Sequence, residues 1–211
     1  ITPIDHGLSF TYQGHNVSLP FPGTFNAKNA LAALKVAENL SVPTADAAAA
    51  LSKLSQVRGR VEFIQEGQDF DVVVDYAHTP DSLESLYGAF SNTRKICILG
   101  NTGGGRDTWK RPVMAQIAEK HCDQVILANE DPYDEDPQKI VDEMAAAMSN
   151  KPEIILDRRE AIARALTIAK PGDTVLISGK GTDPYIMEAH GKKTPWDDAT
   201  VVREELAKLR G

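Results

Sequence analysis

Residues Val74-Asp75-Tyr76-Ala77-His78-Thr79-Pro80-Asp81 set a carboxylate, a phenol, an imidazole and a hydroxyl side by side. They follow a short β-rich run, Phe70-Asp71-Val72-Val73, and precede an amphipathic helical pattern. A strand that hands over to a helix at such a cluster points to the rim of an open α/β sheet, where ligands bind. One reading is local: Asp75 accepts backbone N–H groups of its own turn and His78 is a surface histidine. The other is functional: an Asp at a strand's carboxyl end accepts from a ribose hydroxyl. Residue types this dense exceed what a turn needs and favour function.

Further polar clusters follow other apolar runs. Gly100-Asn101-Thr102-Gly103-Gly104-Gly105-Arg106-Asp107 comes after Ile96-Cys97-Ile98-Leu99, and its consecutive glycines let backbone approach an anion closely. It matches neither GxxxxGK[ST], which occurs nowhere in the chain, nor GxGxxG. Arg106, Lys110 and Arg111 bring positive charge to the start of the next helix, where the dipole prefers acids. That misfit suggests an anionic partner, a carboxylate or a phosphate. The acids of Asn129-Glu130-Asp131-Pro132-Tyr133-Asp134-Glu135-Asp136 form either a solvated loop or a seat for an ammonium group. Ser178-Gly179-Lys180-Gly181-Thr182-Asp183 is either a plain loop or a place where backbone meets a ligand.

Two earlier stretches add to the set. In Gly23-Thr24-Phe25-Asn26-Ala27-Lys28-Asn29, Asn26 is placed to cap a helix. Asn29, one turn in, is either solvated or presents its amide to an adenine edge. In Gly59-Arg60-Val61-Glu62, Arg60 either pairs with Glu62 or reaches a nucleotide phosphate.

These residues need elements to hold them. Apolar alternation over 8–12 and 15–19 around Gly14 predicts a hairpin, followed by helices over 27–40 and 44–54. From Val61 onward strands are predicted near 61–65, 69–75, 95–100, 124–128, 153–156 and 173–178. Helices fall near 80–90, 110–121, 137–149, 158–169 and 197–209, with Asp136-Pro137 and Asp157 as helix starts. Alternation of this kind predicts an α/β fold, a mostly parallel sheet with helices on both faces. Residues 59–211 read as one Rossmann-like domain and 1–57 as a small α+β neighbour.

Composition narrows the partners. Of 211 residues, 42% are hydrophobic and 25% charged, which suits a globular core. A net charge of -7 argues against nucleic acid or an anionic membrane. No apolar run is long enough to span a bilayer, and no signal peptide opens the chain. The opening Ile1-Thr2-Pro3 lacks an initiator Met, which suggests a fragment. Cys97 and Cys122 are expected to be reduced structural thiols, as in a cytosolic protein. Without CxxC spacing they make no metal site.

Taken together the motifs resemble the Mur ligases, and within them the branch that adds the third amino acid to UDP-N-acetylmuramoyl-dipeptide in peptidoglycan synthesis. The likeness runs through Gly23-Thr24-Phe25-Asn26 with Asn29, Gly59-Arg60-Val61-Glu62, Asp75-Tyr76-Ala77-His78-Thr79-Pro80 and Gly104-Gly105-Arg106-Asp107 with Lys110-Arg111-Pro112. It continues through Glu130-Asp131-Pro132, Glu135-Asp136-Pro137 and Gly179-Lys180-Gly181 and so covers nearly the whole chain. The resemblance implies that 1–57 is the tail of a central ATPase domain and 59–211 the C-terminal Rossmann-like domain. It implies ATP and magnesium as cofactors, activation of a peptide carboxylate as an acyl phosphate, and attack by an amino group with release of ADP and phosphate. The family's P-loop and magnesium-binding carboxylate precede this segment. No catalytic residue or metal site is therefore assigned here, and these residues alone are expected to lack ligase activity.

The resemblance also assigns roles. Asn29 matches the adenine-contacting position, Arg60 the nucleotide-contacting arginine and Asp75 the ribose-contacting aspartate, with Tyr76 and His78 bordering the nucleotide. Arg106 matches the arginine that grips the incoming amino acid's carboxylate. Glu130, Asp131 and Tyr133 align with one amino-acid specificity motif, and Gly179, Thr182 and Asp183 with a second. Relatives that add meso-diaminopimelate carry Asp-Asn-Pro-Arg and Gly-Lys-Gly-His-Glu where this chain has Glu130-Asp131-Pro132-Tyr133 and Gly179-Lys180-Gly181-Thr182-Asp183. Tyr cannot replace an Arg that pairs bidentately with a distal carboxylate. An acidic loop suits a side-chain ammonium, so lysine is the expected amino acid. A cytoplasmic monomer is implied, without nucleic-acid or membrane partner, with Gly59 where a domain hinge would lie. Alternatives are a folylpolyglutamate or cyanophycin synthetase-like amide ligase and a non-catalytic binding module. An oxidoreductase would need a dinucleotide fingerprint, which is absent.

Overall fold

The computed structural model describes residues 1–4, 6–105 and 107–210. The chain opens with β1 (Thr2–Ile4), β2 (Gly7–Tyr12) and β3 (His15–Leu19), an antiparallel sheet in the order β1-β2-β3. Gln13 and Gly14 both take positive φ at the β2–β3 turn, the conformation that matches the twist of paired strands. Strand β1 lacks buried residues, so it left no apolar pattern to read. Helices α1 (Thr24–Asn39) and α2 (Thr44–Leu51) cover the sheet through Leu8, Val17, Leu19, Ala30 and Leu34. Asn26 is not the cap of α1: the helix starts at Thr24 after Gly23, and Asn26 Nδ2 donates back to the Pro22 carbonyl at 2.7 Å.

The remaining elements are β4 (Glu62–Phe63), β5 (Asp71–Asp75), α3 (Pro80–Gly88), β6 (Lys95–Leu99), α4 (Lys110–His121), β7 (Gln124–Leu127) and α5 (Pro137–Ala145). After these come β8 (Glu153–Ile154), α6 (Arg158–Ile168), β9 (Thr174–Ser178), β10 (Tyr185–Met187), β11 (Lys193–Pro195) and α7 (Asp198–Arg210). Six strands form one sheet in the order β4-β5-β9-β6-β7-β8, with β4 antiparallel to β5 and the other neighbours parallel. Strand residues alternate between two cores, as period-two side chains must. Val73, Cys97, Leu99 and Leu176 pack under α3, α4 and α5, while Val72, Ile98, Val175 and Ile177 pack under α6 and α7. Both faces are buried, which is why these strands read as unbroken apolar runs. Thr79 caps α3, Asp136 caps α5 and Asp157 caps α6 through their side-chain oxygens.

Strand β9 is the last of the parallel strands in the chain yet sits between β5 and β6. Successive crossovers through α3, α4 and α5 run along one face, and the return through α6 runs along the other. The strand order therefore reverses at β9, and its carboxyl end, with those of β5, β6 and β7, faces the crevice that this topology opens to ligands.

One expectation is corrected. Cys97 and Cys122 are not free thiols but form a disulfide, with Cα atoms 6.1 Å apart. The β6–α4–β7 crossover returns the chain beside β6, where Asp123 N donates to the Lys95 carbonyl at 3.0 Å, so residues 25 apart in sequence meet. The expectation came from compartment statistics, which carry no geometry. Gly59 is held on both sides in this conformation. Its N–H donates to Glu62 Oε2 at 2.8 Å and its carbonyl accepts from Tyr76 N at 3.0 Å. A Cβ there would meet Thr182 N at 2.6 Å, so the glycine is needed for close packing. The β10–β11 hairpin was not foreseen, because two three-residue strands are too short to show periodicity.

Candidate functional site

The end of β5 turns at Asp75 so that its carboxylate closes two loops. Oδ2 accepts from Val61 N and Oδ1 from Ala77 N, each at 2.7 Å. The local reading of Asp75 is thus realised, yet each oxygen keeps a second lone pair and the residue lines a cavity. Burial pushes the Asp75 carboxyl up, against the opposing pull of those two N–H groups, Arg60 and His78. The cavity, about 710 Å³, is lined by Phe25, Asn26 and Asn29 of α1, by Arg60 and Val61, and by Asp75 through Thr79. Asn29, Arg60, Asp75, Tyr76 and His78 are thus brought together. An exposed amide, an apolar ledge, a carboxylate and a guanidinium on one rim can meet a purine edge, a ribose and a phosphate.

Arg60 makes no ion pair with Glu62. Its guanidinium lies over the Tyr76 ring, 4.7 Å from the centroid, and Glu62 is buried against Gly59 and Arg203. The His78 ring meets Tyr76 edge-on at 4.6 Å, and His78 Nδ1 donates to the Tyr76 carbonyl at 2.7 Å. This stack is a wall with two sides. A second cavity, about 600 Å³, lies beyond it, and Tyr76, His78, Thr79 and Asp81 line both.

The second cavity gathers Thr102 from the β6–α4 connection, Lys110 at the start of α4, Glu130, Asp131 and Tyr133 after β7, and Gly179 and Asp183 after β9. Thr182 is absent from this lining: it is exposed and packs beside Gly59. Arg106 lies outside the described residues. The basic cluster is less available than its sequence suggests, because Arg111 is 1% exposed and pairs with Glu143 at 2.7 Å and Glu135 at 2.8 Å. Lys110 lines the cavity and has no ion-pair partner among the described residues.

The acidic loop is equally committed. Asp131 is bound to Lys180, Glu135 to Arg111 and the Gly105 N–H, and Asp136 to its helix. Glu130 differs. It is 3% exposed, Oε1 accepts from Thr102 at 2.9 Å, and Oε2 has no hydrogen-bond partner. Burial pushes its carboxyl up, opposed chiefly by the nearby Arg158 charge and the Thr102 bond. Among the described residues, no group of three or more His, Cys, Asp or Glu could hold a metal ion, and no helix is long and apolar enough to cross a membrane.

A family model described as Mur ligase, glutamate ligase domain, matches residues 59–181. The chain belongs to the Mur ligase family. This Mur ligase chain is 39% identical over 198 residues to the UDP-N-acetylmuramoyl-L-alanyl-D-glutamate--2,6-diaminopimelate ligase of Caldanaerobacter subterraneus, covering 91% of itself and 40% of that relative. The protein of that name from Oceanobacillus iheyensis is 40% identical over 189 residues, with 87% and 38% covered. The chain thus spans about two fifths of the curated relatives it matches. A solved structure of such a diaminopimelate ligase has a TM-score of 0.71 at 32% identity, covering 97% of this chain and 43% of that one. UDP-N-acetylmuramate-alanine ligase from Thermotoga maritima, at TM-score 0.64 and 20% identity, covers 93% and 40% and shares the fold.

This Mur ligase domain also uses residues that its sequence does not flag. Arg158 is buried, and its Nε and Nη2 donate to the two oxygens of Asp198 at 2.8 Å, with Nη2 also reaching the Ser178 carbonyl. Trp196 Nε1 donates to the same aspartate at 2.7 Å. These groups fix the ends of β9 and α7 under the second cavity. An Arg next to the capping Asp157 looks like an ordinary solvated helix start, so no sequence signal marks it.

Proposed function

We propose that residues 1–57 complete the nucleotide-binding side of a Mur ligase central domain and 59–211 form its C-terminal domain, within an enzyme that joins an amino acid to UDP-N-acetylmuramoyl-dipeptide. The observation that carries this reading is the pair of cavities sharing one wall, Tyr76, His78, Thr79 and Asp81. One cavity suits a nucleotide and the other a small zwitterion, so a phosphoryl donor and an attacking amine stand on opposite sides of one partition. ATP with magnesium supplies activation of the peptide carboxylate as an acyl phosphate, with most magnesium contacts expected outside these residues. Asn29 offers donor and acceptor to adenine, Asp75 accepts from ribose, and Arg60, held flat on Tyr76, reaches the phosphates. In the second cavity Lys110 provides charge for the amino acid's carboxylate, a role the family resemblance also gives Arg106, and the acidic side faces its amino groups. The enzyme acts in the cytoplasm.

The amino acid is lysine rather than meso-diaminopimelate. Arg111, Arg158 and Lys180 are buried in internal ion pairs, and Tyr133 stands where a distal carboxylate would need an arginine. Release of ADP and phosphate by the complete ligase, supplied with nucleotide precursor and competing amino acids, tests the proposal. Preference for diaminopimelate rejects the lysine assignment, and no amino-acid-dependent release rejects the ligase. Residues 1–211 by themselves should give no release above background.

A further inference from the structure

Lys180 is a fully engaged cation, and it lies behind the second cavity rather than in it. It is 1% exposed and is not a lining residue. Its Nζ donates to Asp131 Oδ1 at 2.8 Å and Oδ2 at 2.9 Å, to Asp183 Oδ2 at 2.9 Å and to the Tyr185 carbonyl at 2.5 Å. An ammonium group has three protons, and here three residues take them. Both carboxylates it holds belong to the cavity lining. Asp131 Oδ1 also accepts from Met187 N at 2.8 Å, so one ammonium joins the ends of β7 and β9 to the β10–β11 hairpin. The backbone that carries it is specialised. Gly179 has φ +107 and Gly181 φ +52, and a Cβ on either would strike Glu130 or Tyr76.

We infer that Lys180 is a positioning residue for amino-acid selection: it fixes and neutralises Asp131 and Asp183 within the cavity wall and leaves Glu130, also in that wall, as the carboxylate with an oxygen that no described group of the chain engages. The partners differ in consequence. A substrate ammonium would have to compete for Asp131 with the internal ammonium, which bonds both its oxygens, Oδ1 also holding Met187 N. Glu130 has one oxygen tied to Thr102 and one without a partner. The geometry therefore separates charges that shape the cavity from the charge that reads its contents. Loss of Lys180 would release the loop after β9 and leave two lining carboxylates without their counter-ion, changing which amino acids fit without touching the nucleotide cavity.

The inference rests on the second cavity being the amino-acid site, and the experiment separates the two ideas. Kinetic constants are measured in the complete ligase with whichever of lysine and meso-diaminopimelate it uses. Glu130→Gln tests the site: the amino-acid KM should rise about tenfold, the loss expected for a charge-assisted bond. An unchanged KM there removes the site and the inference together. Lys180→Met with Asp131→Asn tests the inference, because Asn keeps the shape and the Met187 contact and leaves no unpaired buried charge at that position. The expected result is a melting temperature near that of the parent, an amino-acid KM raised about tenfold, and kcat and the ATP KM little changed. If KM returns to normal along with stability, Lys180 only supports the fold and the inference fails. Equal rises in both KM values mean general loosening and overturn it too. Should that double variant not fold, Asp183→Asn, at a side chain 34% exposed, is read the same way: the amino-acid KM should rise about threefold, and no rise overturns the inference.

Discussion

Gly179→Ala probes how tightly the second cavity is built. Gly179 has φ +107, a conformation that costs an L-residue about 1–3 kcal/mol. An added Cβ would lie 2.3 Å from Glu130 Oε2 and 2.9 Å from its Cδ. The far end of a side chain can often swing aside, but this one cannot do so cheaply. Oε1 is held by Thr102 at 2.9 Å, and Cβ of Glu130 stands 3.0 Å from where a Cβ on Gly100 would be. Glu130 is thus pressed between the backbones that leave β6 and β9. Pushing it out adds about 1–3 kcal/mol of overpacking. The single substitution should therefore cost about 2–6 kcal/mol in urea unfolding. In a Glu130→Ala background the clash vanishes and only the backbone portion remains, about 1–3 kcal/mol. A double-mutant cycle should give a coupling of about 1–2 kcal/mol. Additivity within about 0.5 kcal/mol would refute the claim that Gly179 is glycine because Glu130 lies against it.

Other perturbations follow from the same contacts. Burial raises the Glu130 carboxyl above its unfolded value, so folding takes up a proton and stability falls as pH rises from the unfolded pKa through the folded one. Glu130→Gln should match the parent near pH 4 and be more stable by about 1–3 kcal/mol at pH 8; equal stabilities at pH 8 would argue against an unpartnered buried carboxylate. Asp75→Asn must turn an amide N–H toward Val61 N or Ala77 N, costing about 1–3 kcal/mol, and should abolish the thermal shift that ATP gives the complete ligase. Arg158→Met leaves Asp198 buried without its bidentate partner and should cost about 3–5 kcal/mol, much of it recovered on adding Asp198→Asn, as read by guanidinium unfolding. Reduction of Cys97–Cys122, which closes a span of 25 residues, should lower stability by about 3 kcal/mol in the chain-entropy estimate; an unmoved denaturation midpoint under dithiothreitol rejects it.

The fold was legible where burial is two-sided. Val72 to Val74, Ile96 to Leu99 and Val175 to Ile177 are apolar without interruption because helices cover both faces, and Asp136 and Asp157 mark the helices that follow. Asn29, Arg60 and Asp75 could be grouped in advance through the resemblance to the Mur ligases, and Asp75 alone also through its place at a strand's carboxyl end. The insertion of β9 between β5 and β6, which puts Gly179 against Glu130, depends on strand order. Local patterns do not encode that order.

What the sequence hid was which charges are already engaged. Arg106, Lys110 and Arg111 read as one basic cluster, and Glu130 through Asp136 as one acidic loop. Arg111 meets Glu143 across a separation of 32 residues, Lys180 meets Asp131 across 49, and Arg158 meets Asp198 across 40. Charge density in a motif therefore overstates the charge available to a ligand, since buried ions require partners and take them from neighbouring loops. The two cavities differ in this respect. In the first, Arg60 is exposed on Tyr76 with no ion-pair partner among the described residues, whereas in the second the cations behind the wall are fixed by internal pairs. A site whose selectivity comes from fixed internal pairs rejects wrong amino acids through the cost of leaving its own groups unpaired. Replacing Lys180 should then alter selectivity although it does not line the cavity.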